Sequence, residues 1–214
     1  SEMLLEQGYF VVGCSRSESD LINNNYLHIT CDVSNPENIK EFFKILRSKK
    51  ISIDILINNA GIASMNHFIT TPSKTSENIF DINFQGTLNF SKYSSKMMMK
   101  KKWGRIINFS TVAVPLNLEG ELSYAASKAA VEIASRIMSK ELGSFGITVN
   151  SIGPNPINTD LIKTLSKDKI INLMANQSIK RLGEFNDIFN IVRFYISEDS
   201  NFINGQNIYL GGIC

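Results

Sequence analysis

The chain has 214 residues, 43% of them hydrophobic, and 22 Lys and Arg against 20 Asp and Glu give it a formal net charge of +2. This near balance gives no electrostatic reason to expect nucleic acid or a membrane surface as a partner, and no apolar run approaches the roughly 18 residues that span a bilayer. Three widely spaced cysteines and only two histidines make a disulfide framework or a metal site unexpected. We therefore expect a cytoplasmic protein without metal.

Short apolar runs alternate with longer stretches of helical periodicity along the chain. The runs predict strands at 9–14, 26–30, 53–57, 105–109, 147–152 and 206–210. The longer stretches predict helices over 36–48, 76–101, 123–142 and 185–196. This alternation is typical of a parallel sheet with helices on both faces. We predict an α/β fold with a doubly wound, Rossmann-like parallel sheet, in a single domain over residues 1–214.

The first residues indicate the end of a helix that stops at Gly8. A doubly wound sheet normally begins with a central strand and a glycine-rich turn that feeds such a helix. Without that strand, backbone groups along both sides of the gap would lack hydrogen-bond partners. We therefore expect about 20–30 further residues before Ser1 in the natural protein.

A tyrosine and a lysine lie four residues apart near the start of the third predicted helix. Tyr124 and Lys128 therefore share one helix face, where the ammonium favours the phenolate and lowers the tyrosine pKa. Tyr124 could then pass a proton to or from a substrate oxygen, although such a pair also arises by chance. Thr111, 13 residues earlier, and its neighbour Ser110 end the fourth predicted strand. A hydroxyl there can donate a hydrogen bond to a carbonyl oxygen, but hydroxyls also end strands without a function.

Two further polar positions are candidates for a site. The run Asn58-Asn59-Ala60-Gly61 follows a predicted strand, where small residues let a nucleotide approach the backbone; an ordinary turn is the alternative. Asn83 lies within a predicted helix. Its side chain could bond backbone or water, bend the helix and hold a proton-relay water, or it could simply face solvent.

Together these residues resemble the classical short-chain dehydrogenase/reductase family, from about Gly8 to the C-terminus. The motifs that carry the likeness are, in order, NNAG at 58–61, Asn83 followed by Gly86, a hydroxyl at Thr111, YAASK at 124–128, ITVNSIGP at 147–154 with Thr159, and NGQNIYLGG at 204–212. The last motif and residues 176–188 look especially like the 3-oxoacyl-(acyl carrier protein) reductase branch.

The resemblance implies an oxidoreductase that moves hydride between a nicotinamide cofactor and a ketone or secondary alcohol, such as a 3-oxoacyl thioester. It implies that Tyr124 is the acid/base and that Lys128 binds the nicotinamide ribose and depresses the tyrosine pKa. It further implies that Thr111 orients the substrate oxygen and that Asn83 supports a water chain for proton relay.

The resemblance also implies cofactor contacts and an assembly. The contacts are, in chain order, Asp32, Val33, Asn59, Ala60 and Gly61 on the adenosine half, and Pro154, Ile157 and Thr159 at the nicotinamide end. The implied assembly is a homodimer or homotetramer in which the helices over 76–101 and 123–142 form an interface.

The end of the first predicted strand bears on the choice of cofactor. An acidic residue there would bind the ribose diol of NAD. Ser15 and Arg16 instead offer a hydroxyl and a guanidinium, which suit a 2′-phosphate. We therefore favour NADP and keep NAD as the alternative; Arg16 could also be an ordinary surface arginine.

Thr111 departs from the family pattern, which usually has serine there. It keeps the hydroxyl but adds a methyl group and stiffens χ1, so we expect activity with altered geometry or rate. Ser110, one residue earlier, should point to the opposite face. Asn155 after Pro154 also departs from the usual proline–glycine pair.

Two other functions compete with this interpretation. The first is a catalytically impaired nucleotide-binding protein on the same fold, with Thr111 as the mark of lost function. The second is an epimerase or dehydratase of the extended branch, which would need a larger substrate domain than the chain offers. Residues 158–181 we expect to form a lid over a small-molecule carbonyl substrate.

Overall fold

The structure is a computed structural model and describes residues 1–157, 171 and 174–213. Its contacts divide the chain into two compact units, Ser1–Ser52 and Ile53–Cys214, each with its own parallel sheet. The single domain over residues 1–214 stays a prediction. Most of the predicted lid at 158–181 lies outside the described residues.

The first unit opens with a short helix that ends at a glycine. Helix α1 spans Glu2–Glu6, and Gly8 follows with a φ of +82°, a left-handed conformation that glycine adopts without strain. The predicted helix end at Gly8 is confirmed. Strands β1 (Val11–Ser15) and β2 (Tyr26–Thr30) then pair in parallel.

Helix α2 spans Pro36–Ser48, as its periodicity predicted. The side chain of Asn35 caps it by accepting hydrogen bonds from Glu37 N at 2.9 Å and Asn38 N at 3.3 Å. Proline at the first helical position suits a helix start because its missing N–H would have no partner there. The buried face of α2 consists of Ile39, Phe42, Phe43 and Leu46.

The second unit contains a four-stranded parallel sheet in the order β3-β4-β5-β6. The strands are β3 (Ile55–Asn58), β4 (Gly104–Phe109), β5 (Ile147–Gly153) and β6 (Asn207–Tyr209). β4 and β5 are buried along almost their whole length, which explains why their sequences lack alternation. The register pairs Asn58 with Asn108 and Phe109 with Ile152, so the carboxyl ends of β3, β4 and β5 lie at one edge.

The helical stretch predicted over 76–101 consists of three segments. They are α3 (Ser73–Phe80), a π-helical segment (Asp81–Gly86) and α4 (Thr87–Lys101). The prediction of one continuous α-helix is therefore wrong. A π-helical turn holds an extra residue, which changes the face that the following side chains present, and such turns are frequent at functional sites.

The second unit also contains the α-helices α5 (Ala113–Leu116), α6 (Leu122–Leu142) and α7 (Phe185–Ile196). Asn108 of β4 donates to Ser135 of α6 at 2.8 Å, whereas Arg105 of β4 donates to the carbonyl of Ser197, directly after α7, at 3.3 Å. Positions 105 and 108 of one strand point to opposite faces. Helices therefore cover both faces of the sheet, and the doubly wound α/β fold is confirmed.

The core on the α6 face of this sheet is apolar and closed to solvent. Ile106 of β4, Val149 of β5 and Val131 of α6 are each at most 1% exposed. In the described part of the chain, no helix combines the length and apolar character needed to cross a bilayer. The described residues also contain no group of three His, Cys, Asp or Glu placed to hold a metal ion.

Candidate active site

Thr111 and Tyr124 meet beside the carboxyl end of β4. Tyr124 lies in the first turn of α6, and its side chain is within hydrogen-bonding reach of that of Thr111. Thr111 is only 7% exposed, and its Oγ1 also accepts a hydrogen bond from Ala113 N at 3.2 Å. Because Oγ1 accepts from that amide, the hydroxyl hydrogen is available to donate. The loop after β4 thus returns to α6, as predicted.

Tyr124 is half-buried. Burial raises the pKa of Tyr124 above its ordinary value, the hydrogen bond from Thr111 lowers it in part, and the charge of Glu121 raises it further. The sequence predicted a lowered Tyr124 pKa, whereas in the structure this pKa is raised, because burial has the largest effect. Tyr124 therefore stays protonated at neutral pH.

Lys128 lies one turn further along α6 and is 4% exposed. Its Nζ donates a hydrogen bond to the carbonyl oxygen of Phe109, the last residue of β4, at 2.8 Å. Burial lowers the pKa of Lys128 to about 8, because the charged form loses its hydration. The lysine nitrogen is therefore bound to the same strand end that leads into Thr111.

The amide of Asn83 is fully engaged inside the protein. Its Oδ1 accepts from Ile62 N at 2.8 Å, and its Nδ2 donates to the carbonyl of Ile62 at 2.9 Å and to Ser127 Oγ at 3.0 Å. The alternative of a solvent-facing Asn83 is therefore wrong. The π-helical segment is joined through this side chain to the loop after β3 and to the turn of α6 between Tyr124 and Lys128.

Gly61 lies against both Asn83 and Lys128. A Cβ atom at this position would be 3.3 Å from Asn83 Oδ1 and 3.4 Å from Lys128 Nζ. Asn59, Ala60 and Gly61 are all exposed. The backbone after β3 is therefore open to a ligand and close to the lysine nitrogen, which fits the small-residue NNAG motif.

The residues expected at the nicotinamide end are described in part. Pro154 follows β5 directly, and its carbonyl accepts a hydrogen bond from Val112 N at 3.3 Å, so it lies beside the loop that carries Thr111. Ile157 forms an isolated parallel bridge with Gly183. Thr159 lies outside the described residues.

Four candidates for the adenosine half belong to the first unit. Ser15 ends β1 and Arg16 follows it, both exposed, while Asp32 and Val33 follow β2. The side-chain and backbone hydrogen bonds from Ser34, and then the charge of Arg16, hold the Asp32 pKa below its ordinary value. The charge of Arg16 thus acts on the Asp32 carboxyl.

Glu132 is a buried residue of this region that the sequence analysis missed. It lies on α6, 7% exposed, and its Oε1 accepts hydrogen bonds from the hydroxyls of Ser110 and Tyr209. The side chain of Ser110 therefore contacts α6, the helix that also carries Tyr124, and the expectation that it points to the opposite face from Thr111 is wrong. The signal was visible in the sequence, since Glu132 follows Lys128 by four residues on the helix face that carries Tyr124.

The comparisons agree with this architecture. A family model described as enoyl-(acyl carrier protein) reductase matches residues 2–212. The chain belongs to the short-chain dehydrogenase/reductase family. It is 33% identical to the 3-oxoacyl-(acyl-carrier-protein) reductase FabG of Vibrio cholerae and 32% identical to that of Escherichia coli, in each case over 99% of this chain and 89% of the relative.

A solved structure of similar architecture is 4-hydroxyisoleucine dehydrogenase complexed with NADH. It matches with a TM-score of 0.87 at 28% identity, over 99% of this chain and 90% of that one. The family resemblance in the motifs is thereby confirmed, and the protein is an NAD(P)-dependent oxidoreductase. Nothing in these comparisons supports the catalytically impaired alternative.

Proposed function

We propose that this protein reduces the ketone of a 3-oxoacyl thioester with NADPH. The observation that carries the proposal is the pair of hydroxyls on Thr111 and Tyr124, which lie within hydrogen-bonding reach of each other beside Lys128. Two hydroxyl groups placed this close together can both donate a hydrogen bond to the same ketone oxygen. The relatives from Vibrio cholerae and Escherichia coli, each matching 99% of this chain and named 3-oxoacyl-(acyl-carrier-protein) reductase, support the substrate class.

Tyr124 acts as the general acid in this proposal. Because burial keeps its phenol protonated at neutral pH, it can donate the proton that the ketone oxygen needs as that oxygen gains charge. The Thr111 hydroxyl donates a second hydrogen bond to the same oxygen and orients it. The nicotinamide, when bound, supplies the hydride to the ketone carbon.

The residues around Gly61 fit such a cofactor. The glycine leaves room beside Lys128 Nζ, where an added Cβ would lie only 3.4 Å away. Lys128 would hold the ribose hydroxyls next to the nicotinamide, and Asn59, Ala60 and Gly61 would line the adenosine half. Pro154, Ile157 and Thr159 would contact the nicotinamide end. Asn83 would keep the loop after β3 in place through Ile62, in addition to supporting a water chain.

NADP is the proposed cofactor in preference to NAD. Ser15 and Arg16 are exposed after β1 and can meet a 2′-phosphate with a hydroxyl and a guanidinium, and Asp32 and Val33 would lie beside the adenine. R16A should raise KM for NADPH about tenfold while leaving KM for NADH unchanged. An equal change in both KM values, or none, would contradict this assignment.

A homodimer or homotetramer in the cytoplasm completes the proposal. Ile133 and Ile137 lie one turn apart on α6 and are 50% and 51% exposed, an apolar surface that a second copy would cover. The thiols of Cys14 and Cys31 are free, which suits a reducing compartment. Light scattering should give a mass of two or four chains, and I133K/I137K should lower it; a monomeric wild type would contradict this part.

The direct experiment is an assay of NADPH oxidation by the purified natural protein with a panel of substrates. The panel contains a 3-oxoacyl thioester, the matching 2-enoyl thioester, and a small ketone without the thioester. We expect the highest kcat/KM for the 3-oxoacyl thioester. Faster turnover of the enoyl thioester or of the small ketone would overturn the proposed substrate class.

A further inference from the structure

The end of β4 is held to α6 by three successive contacts. The carbonyl of Phe109 accepts from Lys128 Nζ, the hydroxyl of Ser110 donates to the Glu132 carboxylate, and the side chain of Thr111 lies within hydrogen-bonding reach of that of Tyr124. The three α6 residues succeed one another at intervals of four, so each turn of the helix binds one residue of the strand end. The contacts of Lys128 and Tyr124 belong to the catalytic site proposed above, whereas the contact between Ser110 and Glu132 lies outside it.

The contact between Ser110 and Glu132 is reinforced by a residue of another strand. Tyr209 of β6 donates its hydroxyl to the same Glu132 Oε1 that Ser110 uses, at 2.7 Å. Its ring lies over Gly153 of β5, where a Cβ atom would come within 2.2 Å of Tyr209 Cδ1. Glycine at 153 therefore makes room for the ring, and Glu132 connects α6 to both β4 and β6.

We propose that Glu132 is a positioning residue for the proposed reduction, which holds Ser110 so that the next residue, Thr111, keeps its hydroxyl on Tyr124. Backbone hydrogen bonds hold the chain on both sides of Thr111: Ser110 N donates to Ile152 O at 2.7 Å, and Val112 N donates to Pro154 O at 3.3 Å. The side chain of Ser110 adds the contact with α6 that sets how this strand end lies against the helix. Ser110 is buried, so without its acceptor its hydroxyl would be unpaired and the strand end would shift.

The hydroxyls of Ser110 and Tyr209 both donate to Glu132 Oε1, so single substitutions can remove this acceptor or one of its donors. E132Q keeps an acceptor oxygen of the same geometry, whereas E132L removes it at nearly constant size. S110A removes the other partner of the bond with a small change in volume. E141L, an exposed glutamate on the same helix, is the matched control.

Turnover is the first readout. We expect E132L and S110A to lower kcat by roughly tenfold to a hundredfold with KM little changed, because a small displacement of a reacting group is costly. E132Q should retain most of the wild-type kcat, and E141L all of it. Wild-type kcat in both E132L and S110A, or a loss in E132Q as large as in E132L, would overturn the inference.

A spectroscopic readout separates this inference from the proposed function. With ¹³Cζ-labelled tyrosine, the resonance of Tyr124, assigned with Y124F, reports the hydrogen bond from Thr111 without turnover. T111V gives the position of that resonance when the bond is lost. The Tyr124 resonance in E132L and S110A should shift towards this position. In E132Q and E141L it should stay at the wild-type position. A wild-type resonance in E132L and S110A would overturn the role of Glu132. A wild type that turns over no 3-oxoacyl thioester would instead overturn the proposed function alone.

Discussion

The side chain of Thr111 lies within hydrogen-bonding reach of the phenol of Tyr124, 13 residues further along the chain. This contact joins the carboxyl end of a buried strand to the first turn of the helix that covers it. Serine is usual at this position in the family, and the structure shows that threonine keeps the hydroxyl where the phenol can use it.

The Thr111 hydroxyl, rather than its methyl group, should matter for turnover. T111V removes the hydroxyl at nearly constant shape, and we expect kcat to fall about a hundredfold, the usual loss when one donor to a developing oxyanion is removed. T111S should stay within a few-fold of the wild type. Steady-state kinetics with NADPH and a 3-oxoacyl thioester measure both. Equal activity of T111V and the wild type would contradict the role of Thr111.

Asn83 should contribute to stability as well as to the site. N83L leaves Ile62 N–H and C=O without their side-chain partner, so the free energy of unfolding should fall by about 2–4 kcal/mol. S127A removes only the third bond of the same amide and should cost about 1 kcal/mol. Urea unfolding of the two variants tests the difference. A loss in N83L no greater than in S127A would mean that the contact with Ile62 is not important.

Lys128 makes stability depend on pH. Its pKa is lowered to about 8 in the folded chain, so between that pH and its ordinary value the unfolded chain binds more protons. The free energy of unfolding must therefore rise with pH across this window. Below the window, the contribution of Lys128 to stability is at its lowest. From about pH 8 to about pH 10 the wild type should gain about 2 kcal/mol relative to K128M, in which the group is absent.

Urea unfolding of both proteins at the two pH values measures this gain, since all other titrating groups are common to both. A parallel pH dependence in the wild type and K128M would show that the Lys128 pKa is not lowered by burial.

Local signals in the sequence predicted most elements. The cap at Asn35 and the proline after it set the start of α2, and the turn at Gly8 set the end of α1. Both depend on neighbouring residues, which a sequence displays directly. The buried strands β4 and β5 were equally clear, because strands covered on both faces need continuous apolar residues.

The contacts of the site were harder to predict because they join distant parts of the chain. Asn83 was a candidate, but its partner Ile62 lies 21 residues earlier and no local rule points to it. The π-helical segment that carries Asn83 was missed for the same reason, since periodicity alone does not reveal one extra residue in a turn. The Tyr124 pKa was misjudged because helix spacing shows a nearby lysine but not the extent of burial.

The most direct test of the account is the turnover rate of the Y124F variant. The variant removes only the phenolic oxygen, so folding and NADPH affinity, measured by thermal unfolding and by fluorescence titration, should stay close to the wild type. With NADPH and a 3-oxoacyl thioester, we expect kcat to fall by a factor of about a hundred or more, because the proton donor is gone. A Y124F protein that retains most of its turnover would contradict the assignment of Tyr124 as the general acid.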